Sequence, residues 1–227
     1  MGVAVVTGAG SGLGLRLSIR LTSDGGRVVG VSRTPPSDEH LRKQTELGLF
    51  AHVQGDVSDP ETVEHAFTRA SALGVPDLLI NCAGAGIYGA VGSYSRRDVD
   101  EVLADNLYGT ILFCEAAYRR FSGSGGTIVN VLSTAAQMPK VNEAIYCAAK
   151  WGARGYTESL RLEAKGSPVR VVAVYPGGMD TPFWWSARGS RIDPTGFMDA
   201  DDVAEVIIRT LARPRSGHVS DITINRS

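Results

Sequence analysis

The stretch Tyr146-Cys147-Ala148-Ala149-Lys150, inside a run from Asn142 to Glu163 that reads as helical, sets a phenol and an ammonium group at positions i and i+4. Such positions share one face of a helix, so the two groups are expected to be neighbours. A free tyrosine titrates near about 10 and moves protons poorly at neutral pH, but a nearby positive charge favours the phenolate and lowers that value. The pair is therefore a candidate acid/base. The spacing alone is common in helices that pack a tyrosine at an edge and leave a lysine in water, so the surrounding elements must decide.

Those elements alternate. Short β-rich runs at Val3–Thr7, Arg27–Ser32, Phe50–Gly55, Leu78–Asn81, Gly126–Leu132, Val169–Tyr175 and Gly217–Ile224 are separated by segments of helical period. The helical segments are Gly12–Asp24, Ser37–Leu47, Pro60–Leu73, Arg96–Phe121 (in one piece or two), Asn142–Lys165 and Asp199–Leu211. Asp59-Pro60 and Asp199 supply capping chemistry for starts, and Gly74 and Gly166 supply stops. The pattern predicts an α/β fold: a doubly wound, seven-stranded parallel sheet with helices on both faces, in a single domain spanning residues 1–227. Residues 177–198 form a long connection without a clear period and are the candidate lid.

Composition excludes several function classes. With 43% hydrophobic and 21% charged residues, and 23 basic against 24 acidic, the chain has the balance of an ordinary soluble protein and no footprint for nucleic acid. Met1-Gly2-Val3-Ala4-Val5-Val6 has no basic n-region and reads as a buried strand, not a signal peptide, and position 6 lacks the hydroxyl residue myristoylation needs. No apolar run approaches the roughly 18 residues of a membrane span. Cys82, Cys114 and Cys147 are odd in number and lack paired-ligand spacing, which argues against disulfides and against a metal site and fits a reducing cytoplasm.

The first strand runs directly into Thr7-Gly8-Ala9-Gly10-Ser11-Gly12-Leu13-Gly14 and then a helix. A loop of this kind turns tightly, lets backbone N–H groups approach a pyrophosphate and sets the anion at the positive end of a helix. Its position between a first strand and a first helix points to dinucleotide binding, and the absence of a Lys-Ser/Thr ending disfavours ATP or GTP.

Taken together, Thr7-Gly8 with Gly12 and Gly14, Asp56-Val57, Asn81-Cys82-Ala83-Gly84, Asn106, Ser133, Tyr146 with Lys150, and Pro176-Gly177 resemble the short-chain dehydrogenase/reductase family in order and spacing across nearly the whole chain. Cys82 stands where the family often has a second asparagine. The resemblance implies a catalytic set of Asn106, Ser133, Tyr146 and Lys150. In it, Ser133 orients the substrate carbonyl, Tyr146 gives or takes the proton, Lys150 lowers the Tyr146 pKa and holds the nicotinamide ribose, and Asn106 supports a helix kink and a proton-carrying water. It also implies a cofactor set of Gly8, Ser11, Gly12, Leu13, Gly14, Asp56, Val57, Asn81, Ala83, Gly84, Tyr146, Lys150, Pro176, Gly177, Met179 and Thr181, with Asn81 to Gly84 lining the far side of the nucleotide. Where an NAD site would carry an acid, the chain has Ser32-Arg33-Thr34, whose guanidinium and hydroxyls suit a 2′-phosphate; the expected cofactor is NADP. The smaller carbonyl reductases are the nearest reading within the resemblance, with no metal required.

Residues outside the motifs carry less. His40, His52, His65 and His218 are expected at surface or satisfied polar positions, and Cys147 as a packed thiol. The substrate wall is expected from Ala85–Tyr88, Thr134–Pro139 and the lid residues Phe183, Trp184, Trp185, Phe197 and Met198; the aromatics would line an apolar pocket or form the lid's own packing core. Arg188 and Arg191 would meet an anionic substrate or stand in water. A 3-oxoacyl thioester reductase and a non-catalytic NADP-binding sensor are the alternatives; an epimerase of the extended relatives would need a larger substrate domain. The resemblance also implies a homodimer or homotetramer through the helix faces around Asn106 and Tyr146.

Overall fold

The computed structural model describes residues 2–189, 192–211, 217 and 219–226. Nine strands and eight α-helices follow in chain order among them: β1 (Val3–Thr7), α1 (Gly12–Ser23), β2 (Arg27–Ser32), α2 (Glu39–Glu46), β3 (Phe50–Gln54), α3 (Pro60–Leu73), β4 (Pro76–Asn81), α4 (Arg96–Leu103), α5 (Gly109–Ser124), β5 (Gly126–Val131), α6 (Ala144–Glu163), β6 (Val169–Pro176), β7 (Met179–Asp180), α7 (Phe183–Ser186), β8 (Met198–Asp199), α8 (Ala200–Leu211) and β9 (Asp221–Ile224). Seven strands make one sheet in the order β3-β2-β1-β4-β5-β6-β9, every pairing parallel.

A parallel sheet must be covered on both faces, and the strand sequences supply apolar side chains to each. In β1 all five residues are buried. Val3 and Val5 join one core with Phe67, Phe113 and Phe121 from α3 and α5, while Ala4 and Val6 join the other with Leu17, Leu41 and Ile207 from α1, α2 and α8. Burying each large side chain contributes roughly 1.5–3 kcal/mol, so the layers are held by the hydrophobic effect and the cleft can use polar residues. The strand order reverses between β1 and β4, and the crevice beyond the carboxyl ends of strands at such a switch point is where ligands bind.

Local chemistry sets the boundaries. The Asp59 carboxylate accepts from the Glu61 N–H, with Pro60 in the first turn of α3, and the Asp199 carboxylate accepts from the Asp201 N–H at the start of α8. The predicted run Arg96–Phe121 is two helices joined by a π-helical turn at Ala104–Tyr108. Two expectations need correction. The connection 177–198 is not irregular throughout: it holds α7 and the parallel pair β7–β8. The last strand begins at Asp221, not Gly217, and His218 lies outside the described residues.

Candidate functional site

The glycine loop is shaped by close approaches that a side chain would block. Gly8 has φ 71°, donates its N–H to Val31 O at 2.8 Å, and a Cβ there would fall 2.9 Å from the Ala83 backbone. Only glycine holds that conformation without cost. At Gly14 a Cβ would lie 2.4 Å from Gly8 O, so α1 packs directly on the loop. Ser11 makes no side-chain cap, leaving the first-turn N–H groups of α1 open to an anion. From there a cleft of about 420 Å³ runs across the switch point.

At the other end of this cleft stand Asn106, Ser133, Tyr146 and Lys150, all lining it. Tyr146 and Lys150 come from the same face of α6 and are 8% and 5% exposed. The Lys150 ammonium donates to Val131 O at 3.3 Å and lies 5.8 Å from the centre of the Tyr146 ring. Burial lowers the Lys150 pKa to about 8. Burial pushes the Tyr146 phenol up, and the Ser133 hydroxyl opposes that rise. Desolvation is the largest influence on both groups. Asn106 sits in the π-helical turn, a feature common at functional sites. Its amide donates to Ala85 O at 2.8 Å and Val102 O at 2.9 Å, while its Oδ1 is buried without a protein partner among the described residues. A Cβ at Gly84 would lie 2.6 Å from that Oδ1 and 3.5 Å from Lys150 Nζ, so glycine keeps the space between them open.

Around Arg33 the polar groups are matched to one another. Arg33 pairs with Asp105 at 3.1 Å, and Gln54 donates to Arg33 O at 3.0 Å. Burial raises the Asp105 carboxyl, with Arg33 opposing. Asp56 is raised by burial but lowered more by the Ser58 N–H and O–H and by Arg33, for a net downward shift. The Ser32 hydroxyl donates to Thr34 O at 2.9 Å and lies 2.9 Å from His52 Nε2, so the two hydroxyls expected to be free for a phosphate are not both free. Val57 and Ala83 line the cleft, as do Pro176, Gly177, Met179 and Thr181. Asn81 does not. Its side chain turns into the sheet, donating to Asn130 Oδ1 at 2.9 Å and Thr110 O at 3.4 Å, and Cys82 takes its place in the wall.

The wall beyond Tyr146 differs from expectation. Phe183 and Trp184 line the cleft, whereas Trp185 is 73% exposed and Phe197 packs edge-on behind Trp184 at 5.6 Å. The aromatics thus divide between pocket wall and packing core. The segment Thr134–Pro139 is replaced in the wall by Lys140 and Glu143, and of Ala85–Tyr88 only Tyr88 reaches it. Arg188 neither meets the cleft nor stands free: it pairs with Asp98 at 3.0 Å and Glu101 at 2.8 Å, tying the 177–198 connection to α4. Arg191 lies outside the described residues. His40 and His52 are satisfied by neighbouring hydroxyls, and Cys147 packs against Ala135, Tyr146 and Phe183. Sequence reasoning missed Asp105, Lys140 and Glu143. Glu143 immediately precedes α6 with non-helical backbone, so no helical spacing pointed to it.

The family model for short chain dehydrogenases matches residues 2–191. The chain belongs to the short-chain dehydrogenase family. A D-threitol dehydrogenase of Mycolicibacterium smegmatis is 33% identical over 218 residues, covering 91% of this chain and 84% of that protein. Among solved structures, an alcohol dehydrogenase of Thermococcus sibiricus complexed with 5-hydroxy-NADP superposes with a TM-score of 0.84 at 26% identity, covering 99% of this chain and 96% of that one. A 3-ketoacyl-(acyl-carrier-protein) reductase of Brucella melitensis complexed with NADH does so with the same TM-score, identity and coverage.

A nicotinamide dinucleotide fits this dehydrogenase cleft on its own geometry. The open first turn of α1 suits the pyrophosphate, the guanidinium of Arg33 stands near the strand end that meets the ribose, and Gly84 leaves room between Asn106 and Lys150. Among the described residues no helix is long and apolar enough to cross a membrane.

Proposed function

We propose that this chain is an NADP(H)-dependent oxidoreductase transferring a hydride between the nicotinamide and a carbonyl or alcohol substrate, acting mainly as a reductase of ketones or aldehydes. The observation that carries this reading is the convergence of the Ser133 hydroxyl, the Tyr146 phenol and the Lys150 ammonium on one wall of a cleft whose other end is a glycine loop at a helix start. The cofactor, when bound, supplies or accepts the hydride.

The side chains do the rest. Ser133 donates to the substrate oxygen and turns the reacting carbon toward the nicotinamide. Tyr146 donates its proton to that oxygen as negative charge develops, and recovers it in the reverse direction. Burial keeps the phenol protonated at neutral pH, which suits the reductive direction, because an alkoxide is a stronger base than a phenolate. Lys150, charged below about 8, holds the ribose and steadies the phenolate left behind. Asn106 carries the water that returns a proton toward Lys150, and its free Oδ1 is the acceptor available for it. The part of the connection from Gly177 to Ser186 covers the site, and the faces around Asn106 and Tyr146 join copies of the chain into a dimer or tetramer. The relative named for a sugar alcohol supports a small substrate bearing a CH–OH group.

NADPH oxidation against a panel of ketones, aldehydes, quinones and acyl thioesters tests the reading. Tyr146→Phe is expected to lower turnover about 10²–10⁴-fold with NADPH binding nearly intact. Turnover equal to that of the parent would end the assignment of Tyr146, and thioesters as the only substrates would transfer the chain to that class.

A further inference from the structure

Two polar groups beside Tyr146 have no part in the chemistry above. Tyr88 is 8% exposed, and its hydroxyl is buried without a protein partner among the described residues. Its ring lies 5.9 Å from that of Tyr146 and stacks on Trp184 at the same distance. Glu143, 7% exposed, directly precedes α6 and makes no side-chain cap to it. It lines the same cleft wall as Tyr88 and Tyr146, the charge of Lys140 in that wall acts on its carboxylate, and no hydrogen-bond donor to it is found among the described residues.

The fold holds both groups in place. Asn142, just before Glu143, adopts φ 63°, the only non-glycine residue with positive φ among those described. Its carbonyl accepts from the Gly89 N–H at 2.9 Å, and the Tyr94 hydroxyl bonds to Gly89 O at 2.5 Å. On the other side the Tyr88 N–H donates to Arg188 O at 2.8 Å. The Tyr88 loop is thus stitched between the start of α6 and the 177–198 connection. Burying a hydroxyl without a partner and holding asparagine in the left-handed region both cost stability, and such costs gather where a ligand offsets them.

We propose that Glu143 and Tyr88 form a second hydroxyl subsite, and that the substrate is a short polyol or its hydroxyketone carrying a hydroxyl next to the reacting carbon. That hydroxyl donates to the Glu143 carboxylate and accepts from the Tyr88 O–H, using one donor and one acceptor in the combination a neutral hydroxyl provides. A simple alcohol leaves both protein groups unmatched. An ammonium group has no lone pair for Tyr88, and Lys140 and Lys150 in the same wall repel it. Phe183 and Trp184 face the substrate's C–H surfaces. In oxidation, which needs Tyr146 as its phenolate and is favoured by raised pH, the reacting carbinol would give its C–H hydride to the nicotinamide and its O–H proton to that phenolate, forming C=O; the neighbouring hydroxyl is unchanged.

This subsite rests on the proposed hydride-transfer reading. The full chain is assayed with NADP⁺ and four probes of equal length: butan-2-ol, butane-2,3-diol, butane-1,2,3,4-tetrol and 3-aminobutan-2-ol. The diol and tetrol are expected to exceed butan-2-ol in kcat/KM by at least about tenfold. In Tyr88→Phe and in Glu143→Gln, each checked for folding by circular dichroism, that ratio is expected to shrink toward one. Equal use of diol and butan-2-ol by the parent, an unchanged ratio in both variants, or preference for the amino alcohol overturns the subsite. If the ketone panel is reduced while diol and tetrol are refused, the subsite fails and the oxidoreductase reading stands. If no substrate turns over although NADPH binds, both fail.

Discussion

Around Arg33, charges and hydroxyls are paired with one another: Arg33 with Asp105, Asp56 with Ser58, Ser32 with Thr34 and His52. Around Tyr146, at the other end of the same cleft, Asn106 Oδ1 and the Tyr88 hydroxyl are buried without a partner among the described residues, and the buried Glu143 carboxylate is opposed only by the charge of Lys140. Packing explains part of the contrast. The first region is rimmed by exposed loop residues such as Arg33, which water can compensate, whereas the second is closed by α6 and by Phe183 and Trp184. A ligand at the first end must compete with contacts already made; one at the second relieves a cost the folded chain carries.

The largest expected effect comes from removing the charge that burial penalises most. Lys150 is shifted from 10.5 to about 8 by burial, with Cys82 opposing. Between those values the unfolded chain binds more protons than the folded one, so stability rises with pH across that window. Below about 8 the ammonium is charged in both states, and the penalty for burying it is fully present. Lys150→Met removes that penalty. Without cofactor the variant is expected to melt several degrees higher than the parent at pH 7, at about 2–4 °C per kcal/mol for a chain of this size, with the gain fading as pH approaches 10.5. Turnover is expected to fall about 10²–10⁴-fold. A lower melting temperature at pH 7, or a gain that ignores pH, would mean that burial costs Lys150 little.

The same contrast explains what could be read from sequence. Val3–Thr7, Arg27–Ser32 and Pro60–Leu73 have the bounds their composition implied, because β-branched runs and an Asp-Pro cap act locally. The catalytic candidates were visible for the same reason: helical spacing brings Tyr146 and Lys150 together without help from distant chain. Asn81 was misread, since strand alternation does not say which side chain meets a partner across the sheet, and here Asn130 lies in register with it. Glu143 and Lys140 depend on a turn built around Asn142 at φ 63°, which has no period to read. The direction of the Tyr146 shift depends on desolvation, a property of the assembled site that no spacing records.

At the matched end, Arg33→Ala tests whether the guanidinium selects the phosphorylated cofactor. Charge-assisted hydrogen bonds of this type are worth about 1.5–3 kcal/mol, so NADPH affinity measured by fluorescence titration is expected to drop about 10–100-fold, with NADH affinity changing little. Equal affinity of the parent for NADH and NADPH would refute the preference for NADP.

The smallest effect is expected from the carboxylate that Arg33 now faces. Asp105 is nearly buried while the Arg33 side chain is 62% exposed, so solvent screens their attraction and the pair is weak. A 2′-phosphate arriving at Arg33 must displace or share that carboxylate and meets its negative charge. Asp105→Asn keeps the shape, removes the competitor and frees the guanidinium. Exposed pairs contribute about 0.2–1 kcal/mol, so NADPH is expected to bind up to about fivefold more tightly, with the gain shrinking as salt is raised and NADH unaffected. Weaker NADPH binding in the variant would reverse the assignment: Asp105 would then hold Arg33 in the pose the phosphate needs, and the matched end of the cleft would be preorganised for its ligand instead of closed against it.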